Sequence, residues 1–296
     1  MGKTIFITGA TSGIGLVTAC ELAAHGNNVI ATARSQEKGE HLLSGYQRSY
    51  GGKSGTIEIV KCDLSSFESI ADACNQVKAK HEYIDTLINN AGVWNFQYQE
   101  SKNHIEEIFH VNVLAPLLIN HLLFDLLVKS KEAKSIFAAS ALHQGDVDFS
   151  NLESRNNFSG VRAYRQSKLE VILICRWLAK RLEDKGVGVY CEHPGFVSTN
   201  LGRNANWFAK LFFRFMAIPP EKGAQTLIYL AEEDKGHLVT GEYYYLKAVK
   251  KITPQSYDME VAQRLIDNLK TYLIKYITSS SPILESTINQ NAYHEV

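Results

Sequence analysis

The sequence predicts an α/β protein: a single Rossmann-like, doubly wound parallel sheet with helices on both faces. Three observations predict it. Short β-branched runs alternate with longer helical ones along most of the 296 residues, and alternating βα units of this length build such sheets. The short runs are apolar on both sides of the pleat, as in Thr86-Leu87-Ile88 and Ile136-Phe137-Ala138-Ala139, which fits strands covered by helices on both faces. Gly9, Gly13 and Gly15 lie where the first run hands over to the first helical segment, the place for a tight turn.

In order, Ile5–Thr8 reads as a strand, Gly13 to about His25 as a helix and Asn28–Ala33 as a second strand. A helix with exposed charges follows at Glu37–Tyr50, then strand Ile57–Lys61, helix Phe67–Lys80 and strand Thr86–Asn89. One long helix is expected over His104–Lys129, then strand Lys134–Ala139 and helix Arg162–Lys185. Strand Val187–Glu192, helix Pro220–Ala231 and strand Gly241–Leu246 complete the pattern. No repeat or linker interrupts it, so residues 1–277 read as one domain, with a substrate loop at about 200–219. From about residue 278 to 296, Ser279-Ser280-Ser281-Pro282 opens a polar tail without clear periodicity, mobile or partly docked.

Composition narrows the function classes. Apolar residues make up 45% and charged residues 21% of the chain, with a formal net charge of zero. A balance of this kind gives no electrostatic footprint for nucleic acid. The five cysteines (Cys20, Cys62, Cys74, Cys175 and Cys191) are scattered, without the pairing of a zinc site, and read as reduced core residues; no metal is expected. The N-terminus runs directly into a strand without a secretory h-region. Phe6 stands where a myristoylation motif needs Ser or Thr. No run is apolar and long enough to span a bilayer. The expectation is a cytoplasmic protein with at most peripheral membrane contact.

Glycines at the first βα turn let backbone approach a pyrophosphate, whose charge meets the free N–H groups of the helix start. The spacing Gly-x-x-x-Gly-x-Gly departs from Gly-x-Gly-x-x-Gly. The second strand ends Thr32-Ala33-Arg34 with no carboxylate before Glu37. An acid there would hold a ribose 2′-hydroxyl; Arg34 is suited instead to a 2′-phosphate, which favours NADP(H) over NAD.

Tyr164 and Lys168 are spaced i,i+4 and share one helix face. A free phenol titrates near about 10, too high for acid–base work at neutral pH. An ammonium beside it, and the positive ring of oxidised nicotinamide, would favour tyrosinate and lower that value. Ser140, just after a buried strand, can hydrogen-bond the same substrate oxygen. A bland alternative for Tyr-x-x-x-Lys alone is an exposed helical pair.

Together Thr8-Gly9-Ala10-Thr11-Ser12-Gly13-Ile14-Gly15, Asn89-Asn90-Ala91-Gly92, Ser140, Tyr164-x-x-x-Lys168 and Pro194-Gly195 resemble, in order and spacing, the short-chain dehydrogenase/reductases. The resemblance runs from residue 3 to about 275. Ala33-Arg34-Ser35-Gln36-Glu37-Lys38-Gly39-Glu40, His193-Pro194-Gly195-Phe196-Val197-Ser198-Thr199-Asn200 and Pro220-Glu221-Lys222-Gly223-Ala224-Gln225-Thr226 are similar to the retinol-dehydrogenase-like branch. The resemblance implies catalytic roles for Asn112, Ser140, Tyr164 and Lys168, Asn112 holding a relay water. It implies cofactor contacts at Gly9, Thr11, Ser12, Gly13, Ile14, Gly15, Arg34, Asp63, Leu64, Asn90, Ala91, Gly92, Tyr164, Lys168, Pro194, Gly195, Val197 and Thr199. His143 and His193 read as structural or pocket-wall residues.

Residues 206–216, Asn206 to Met216, are dense in aromatics between Thr199 and the next helix. They read as a lid over an apolar substrate, a membrane contact, or a subunit contact. The leading function is a carbonyl reductase or alcohol dehydrogenase acting on a lipophilic aldehyde, ketone or alcohol, retinal-like or steroid-like. A catalytically silent dinucleotide-binding regulator is the alternative, and a sugar-nucleotide epimerase or dehydratase lies further off. Assembly like many relatives would give a homodimer through the helices at 104–129 and 162–185.

Overall fold

The computed structural model describes residues 2–195, 218–277 and 283–284. Its first half runs β1 (Thr4–Ile7), α1 (Gly13–Ala24), β2 (Asn28–Ala33), α2 (Gln36–Tyr50), β3 (Thr56–Lys61), α3 (Phe67–Lys80) and β4 (Thr86–Asn89). Short α4 (Glu107–Phe109), a π-turn (His110–Leu114), α5 (Ala115–Leu122) and α6 (Phe124–Leu127) follow. The second half runs β5 (Lys134–Ala138), α7 (Gly160–Arg181), β6 (Gly188–Glu192), α8 (Pro220–Glu232), β7 (Tyr243–Tyr245), β8 (Ala248–Val249) and α9 (Met259–Leu273).

The strands form one sheet in the order β3-β2-β1-β4-β5-β6-β7-β8. Pairing is parallel from β3 through β7, and β8 returns antiparallel to β7. The predicted doubly wound α/β class is therefore the observed one. Strand order reverses between β1 and β4, and that switch point opens a crevice at the carboxyl edge of the sheet. Ile5, Ile7 and Ile136 face a core layer that includes Leu22, Ala23 and Leu227. Phe6, Leu87 and Phe137 face the opposite layer, with Ile70, Leu117 and Leu173. Alternate strand residues thus serve two cores, which is why the runs are apolar throughout.

Local chemistry fixes several ends. Ser35 Oγ accepts from Lys38 N at 3.4 Å to start α2, and Ser66 Oγ accepts from Ser69 N at 3.2 Å to start α3. Lys134, fully buried on β5, donates from Nζ to Leu230 O and Ala231 O at 2.8 Å and Glu233 O at 2.7 Å. It thereby supplies the donors that the last turn of α8 lacks.

One expectation changes and two segments gain detail. The single helix over His104–Lys129 is broken. Pro116 has no N–H to give the Asn112 carbonyl four residues back, and Ala115 N bonds instead to His110 O, five residues back. The segment Met259–Leu273, unassigned from sequence, is helix α9, capped by Asp258 Oδ1, which accepts from Glu260 N at 3.0 Å and Val261 N at 2.9 Å. It packs along α7: Trp177 Nε1 donates to Gln263 Oε1 at 2.8 Å, and Leu265, Ile266, Leu269 and Leu273 are buried in the shared core. Of the tail, read from sequence as mobile or partly docked, Ile283 and Leu284 are buried in that same layer.

All five cysteines are free and buried. Among the described residues no helix is long and apolar enough to cross a membrane, and no cluster of metal-ligating side chains is found.

Candidate active site

The carboxyl edge carries a cleft of about 440 Å³. At one end are the β1–α1 turn (Gly9, Thr11, Ser12, Gly13, Ile14 and Gly15), Arg34 after β2, and Asp63 and Leu64 after β3. Asn90, Ala91 and Gly92 line the middle; Tyr164, Lys168 and Pro194 lie towards the other end.

The glycine turn is built for close approach. Gly9 and Gly13 adopt φ of 69° and 56°, the left-handed region that glycine tolerates without strain. A Cβ on Gly15 would sit 2.3 Å from both Gly9 O and Asn90 Nδ2, so only glycine lets α1 start there. Thr8, not among the expected site residues, ties the two turns together. Its Oγ1 accepts from Asn90 N at 3.2 Å and from Ala91 N at 3.1 Å, while Asn90 Nδ2 donates to Thr8 O at 2.9 Å. The free N–H groups at the start of α1 thus open onto the cleft, a cradle that fits a pyrophosphate.

Arg34 is exposed at the cleft, and Lys38, also missed from sequence, lines it one helical turn further on. No ion pair holds either side chain among the described residues. Asp63 is partly committed: Oδ1 accepts from Ser65 N at 3.1 Å and Ser65 Oγ at 2.8 Å, and Oδ2 pairs with Lys102 Nζ at 2.9 Å. Burial pushes its carboxyl up, but Lys102 and Ser65 outweigh that and hold it below the usual aspartate value.

Tyr164 and Lys168 are both enclosed, at 6% and 4% exposure. Lys168 Nζ donates to Ala138 O at 2.8 Å and lies 5.6 Å from the centroid of the Tyr164 ring. Burial pushes the phenol up to about 12, against the lowering effect of its hydrogen bond with Ser140. Burial also pulls the Lys168 ammonium down to about 8, opposed by Glu192 and Cys191. The expected lowering of Tyr164 by Lys168 is thus not supplied by the protein's own charges, because desolvation wins at this depth. Trp94 stacks on Tyr164 with centroids 4.5 Å apart and planes at 12°, and its indole is stacked in turn with Phe96 at 5.4 Å. These rings fix the plane of the phenol, and sequence spacing gave no signal for them.

Asn112 is buried on the π-turn. Its Oδ1 accepts from Val93 N at 2.8 Å, and Nδ2 donates to Val93 O at 3.0 Å and Ser167 Oγ at 3.1 Å. The side chain is therefore committed to pinning the strand β4 exit. The atom that Pro116 leaves without its usual helical donor is the Asn112 backbone carbonyl. His143 Nδ1 bonds Ser140 O at 2.7 Å, and His193 stacks on Tyr245 at 5.2 Å. Burial pulls His193 down to about 4 and His143 below its ordinary value. Gly195 takes a φ of 88° beside Pro194. Val197, Thr199 and the aromatic segment 206–216 lie outside the described residues.

A profile of the short chain dehydrogenase family matches residues 3–208, and the chain belongs to that family of oxidoreductases. Within it the chain falls in the retinol-dehydrogenase-like branch. It is 35% identical to human retinol dehydrogenase 14 over 285 residues, covering 90% of this chain and 84% of the relative. It is 33% identical to human retinol dehydrogenase 11, at 90% and 84% coverage. A solved NAD(P)-dependent gluconate 5-dehydrogenase from Beutenbergia cavernae, titled putative and carrying NADP, superposes with a TM-score of 0.65 at 26% identity, covering 82% of this chain and 94% of that one.

Proposed function

We propose that this protein is an NADP(H)-dependent oxidoreductase that passes a hydride between nicotinamide and a lipophilic aldehyde, ketone or alcohol, with Tyr164 as the acid–base group. The observation that carries the reading is Tyr164 and Lys168 enclosed at one end of a cleft, with buried Ser140 hydrogen-bonded to Tyr164, while the other end of the cleft is a glycine-walled helix start. The bound cofactor would supply the hydride and, when oxidised, a positive ring beside the phenol.

The chain's own groups do the rest. The α1 N-terminus with Thr11, Ser12 and Ile14 holds the pyrophosphate, and Arg34 with Lys38 takes the 2′-phosphate. Asp63 and Leu64 sit at the adenine edge; Asn90, Ala91 and Gly92 line the middle. Pro194 and Gly195 would contact the nicotinamide, a role the family resemblance also assigns to Val197 and Thr199, which lie outside the described residues. In reduction Tyr164 Oη gives its proton to the carbonyl oxygen, and Ser140 stabilises the charge developing there. Lys168 orients the ribose hydroxyls and returns a proton towards Tyr164. Asn112 holds the strand exit, with its backbone carbonyl available to a relay water.

Substrate polarity is read from two things: relatives named as retinol dehydrogenases, and the Trp94–Phe96 wall beside Tyr164. The test is Tyr164→Phe. It should fold and bind NADPH, seen by fluorescence, yet lose on the order of a hundredfold or more in turnover on a panel from small aldehydes to retinal. Near-normal turnover would sink the acid–base assignment.

A further inference from the structure

One ionisable side chain beside the site has no part in that reading. Glu192 ends β6, two residues before Pro194, and is 0% exposed. Neither carboxylate oxygen has a hydrogen-bond partner among the described residues. A buried carboxyl without donors is costly to a fold and calls for a reason.

Its neighbours supply one. Glu192 is the register partner of Ala138 on β5, and its own carbonyl accepts from Ala139 N at 2.7 Å. Ala138 O is the acceptor that holds Lys168 Nζ at 2.8 Å. Carboxyl and ammonium therefore flank the same β5 residue without a direct contact. In an enclosed and weakly polarisable interior, opposite charges on adjacent elements still attract appreciably. Glu192 is the foremost group that opposes the effect of burial on Lys168. Around the pair the other titratable groups are Tyr243 and Tyr244 on β7, Tyr244 being the register partner of Glu192, Cys191 on β6, His193 just after it and Tyr164 on α7. Burial drives the Glu192 carboxyl up and the Lys168 ammonium down, and each charge offsets the burial of the other.

We propose that Glu192 is a positioning residue: a buried counter-charge, acting through the β5 edge without contact, that keeps Lys168 an ammonium beside Tyr164. The proposal rests on the Tyr164–Lys168 reading for its catalytic meaning, but not for its physical content.

The test therefore has two readouts. In cofactor-free protein labelled with 13Cε-lysine, with Lys168→Met assigning the resonance, Glu192→Gln should move the Lys168 titration about one pH unit lower. In the loaded enzyme, the alkaline limb of kcat/KM should move the same way. One unit corresponds to a loss of up to about tenfold in charged lysine above the midpoint. A merely structural carboxyl would lower activity equally at every pH. Glu192→Leu, which needs no donors, should show the same shift and covers the case in which glutamine folds poorly. An unmoved Lys168 titration in both variants overturns the proposal. If Tyr164→Phe retains turnover, the acid–base reading falls while the lysine titration still decides the role of Glu192.

Discussion

Arg34 and Lys38 line the end of the cleft without an ion-pair partner among the described residues, one on the β2 exit and one on the first turn of α2, with Ser35 Oγ capping the turn between them. Two cations and a helix N-terminus suit a dianionic phosphate, which is the basis of the proposal that the cofactor is NADP(H). Arg34→Asp is expected to weaken NADPH binding by at least about tenfold while leaving NADH close to its starting affinity, since one charge-assisted contact is worth about 1.5–3 kcal/mol. Equal loss for both cofactors in a titration would remove Arg34 from the phosphate site. Sequence disclosed Arg34 because the position after β2 is fixed by the strand itself. It did not disclose Trp94 or Thr8, whose roles depend on β1, β4 and α7 converging from distant parts of the chain.

At the scale of elements, the break at the π-turn was legible in principle: Pro116 denies Asn112 a helical donor. The 3.6-residue periodicity of the surrounding apolar residues hid it, because periodicity reports which face is buried and not whether the ladder is continuous. Just before that break, Glu106 caps α4, its carboxylate accepting from Ile108 N at 3.0 Å and Phe109 N at 2.8 Å. Burial pushes it up to about 7 despite those bonds. The folded state therefore holds this proton more tightly than the unfolded chain, where glutamate titrates near about 4.3. Its contribution is fully present below the unfolded value and is lost as pH rises towards 7. Glu106→Gln should flatten that part of the fall in Tm between pH 5 and pH 7.5. A parallel pH profile for the variant and the parent would contradict it.

Across the whole molecule, α9 lies over the α7 surface through which a four-helix homodimer was expected. Assembly by that face would require displacing Leu265, Ile266 and Leu269, so light scattering should return the 33.1 kDa of one chain; a stable dimer mass would refute this. Two residues of the tail are also anchored. Ile283 and Leu284 are 1% and 0% exposed in the main core, and changing either to alanine should cost about 2–5 kcal/mol, read as a lower Tm. Truncation after residue 277 should lower Tm as well; an unchanged Tm would show that these two side chains add nothing. The sequence alone determined the alternation of strands and helices, the glycine turn and the i,i+4 pair, because each is written in neighbouring residues. Only the tertiary structure decided what covers α7, which rings fix Tyr164, and how deep the pair lies. Depth sets the proton affinities of Tyr164 and Lys168, and depth is a sum over elements that come together only when the sheet closes.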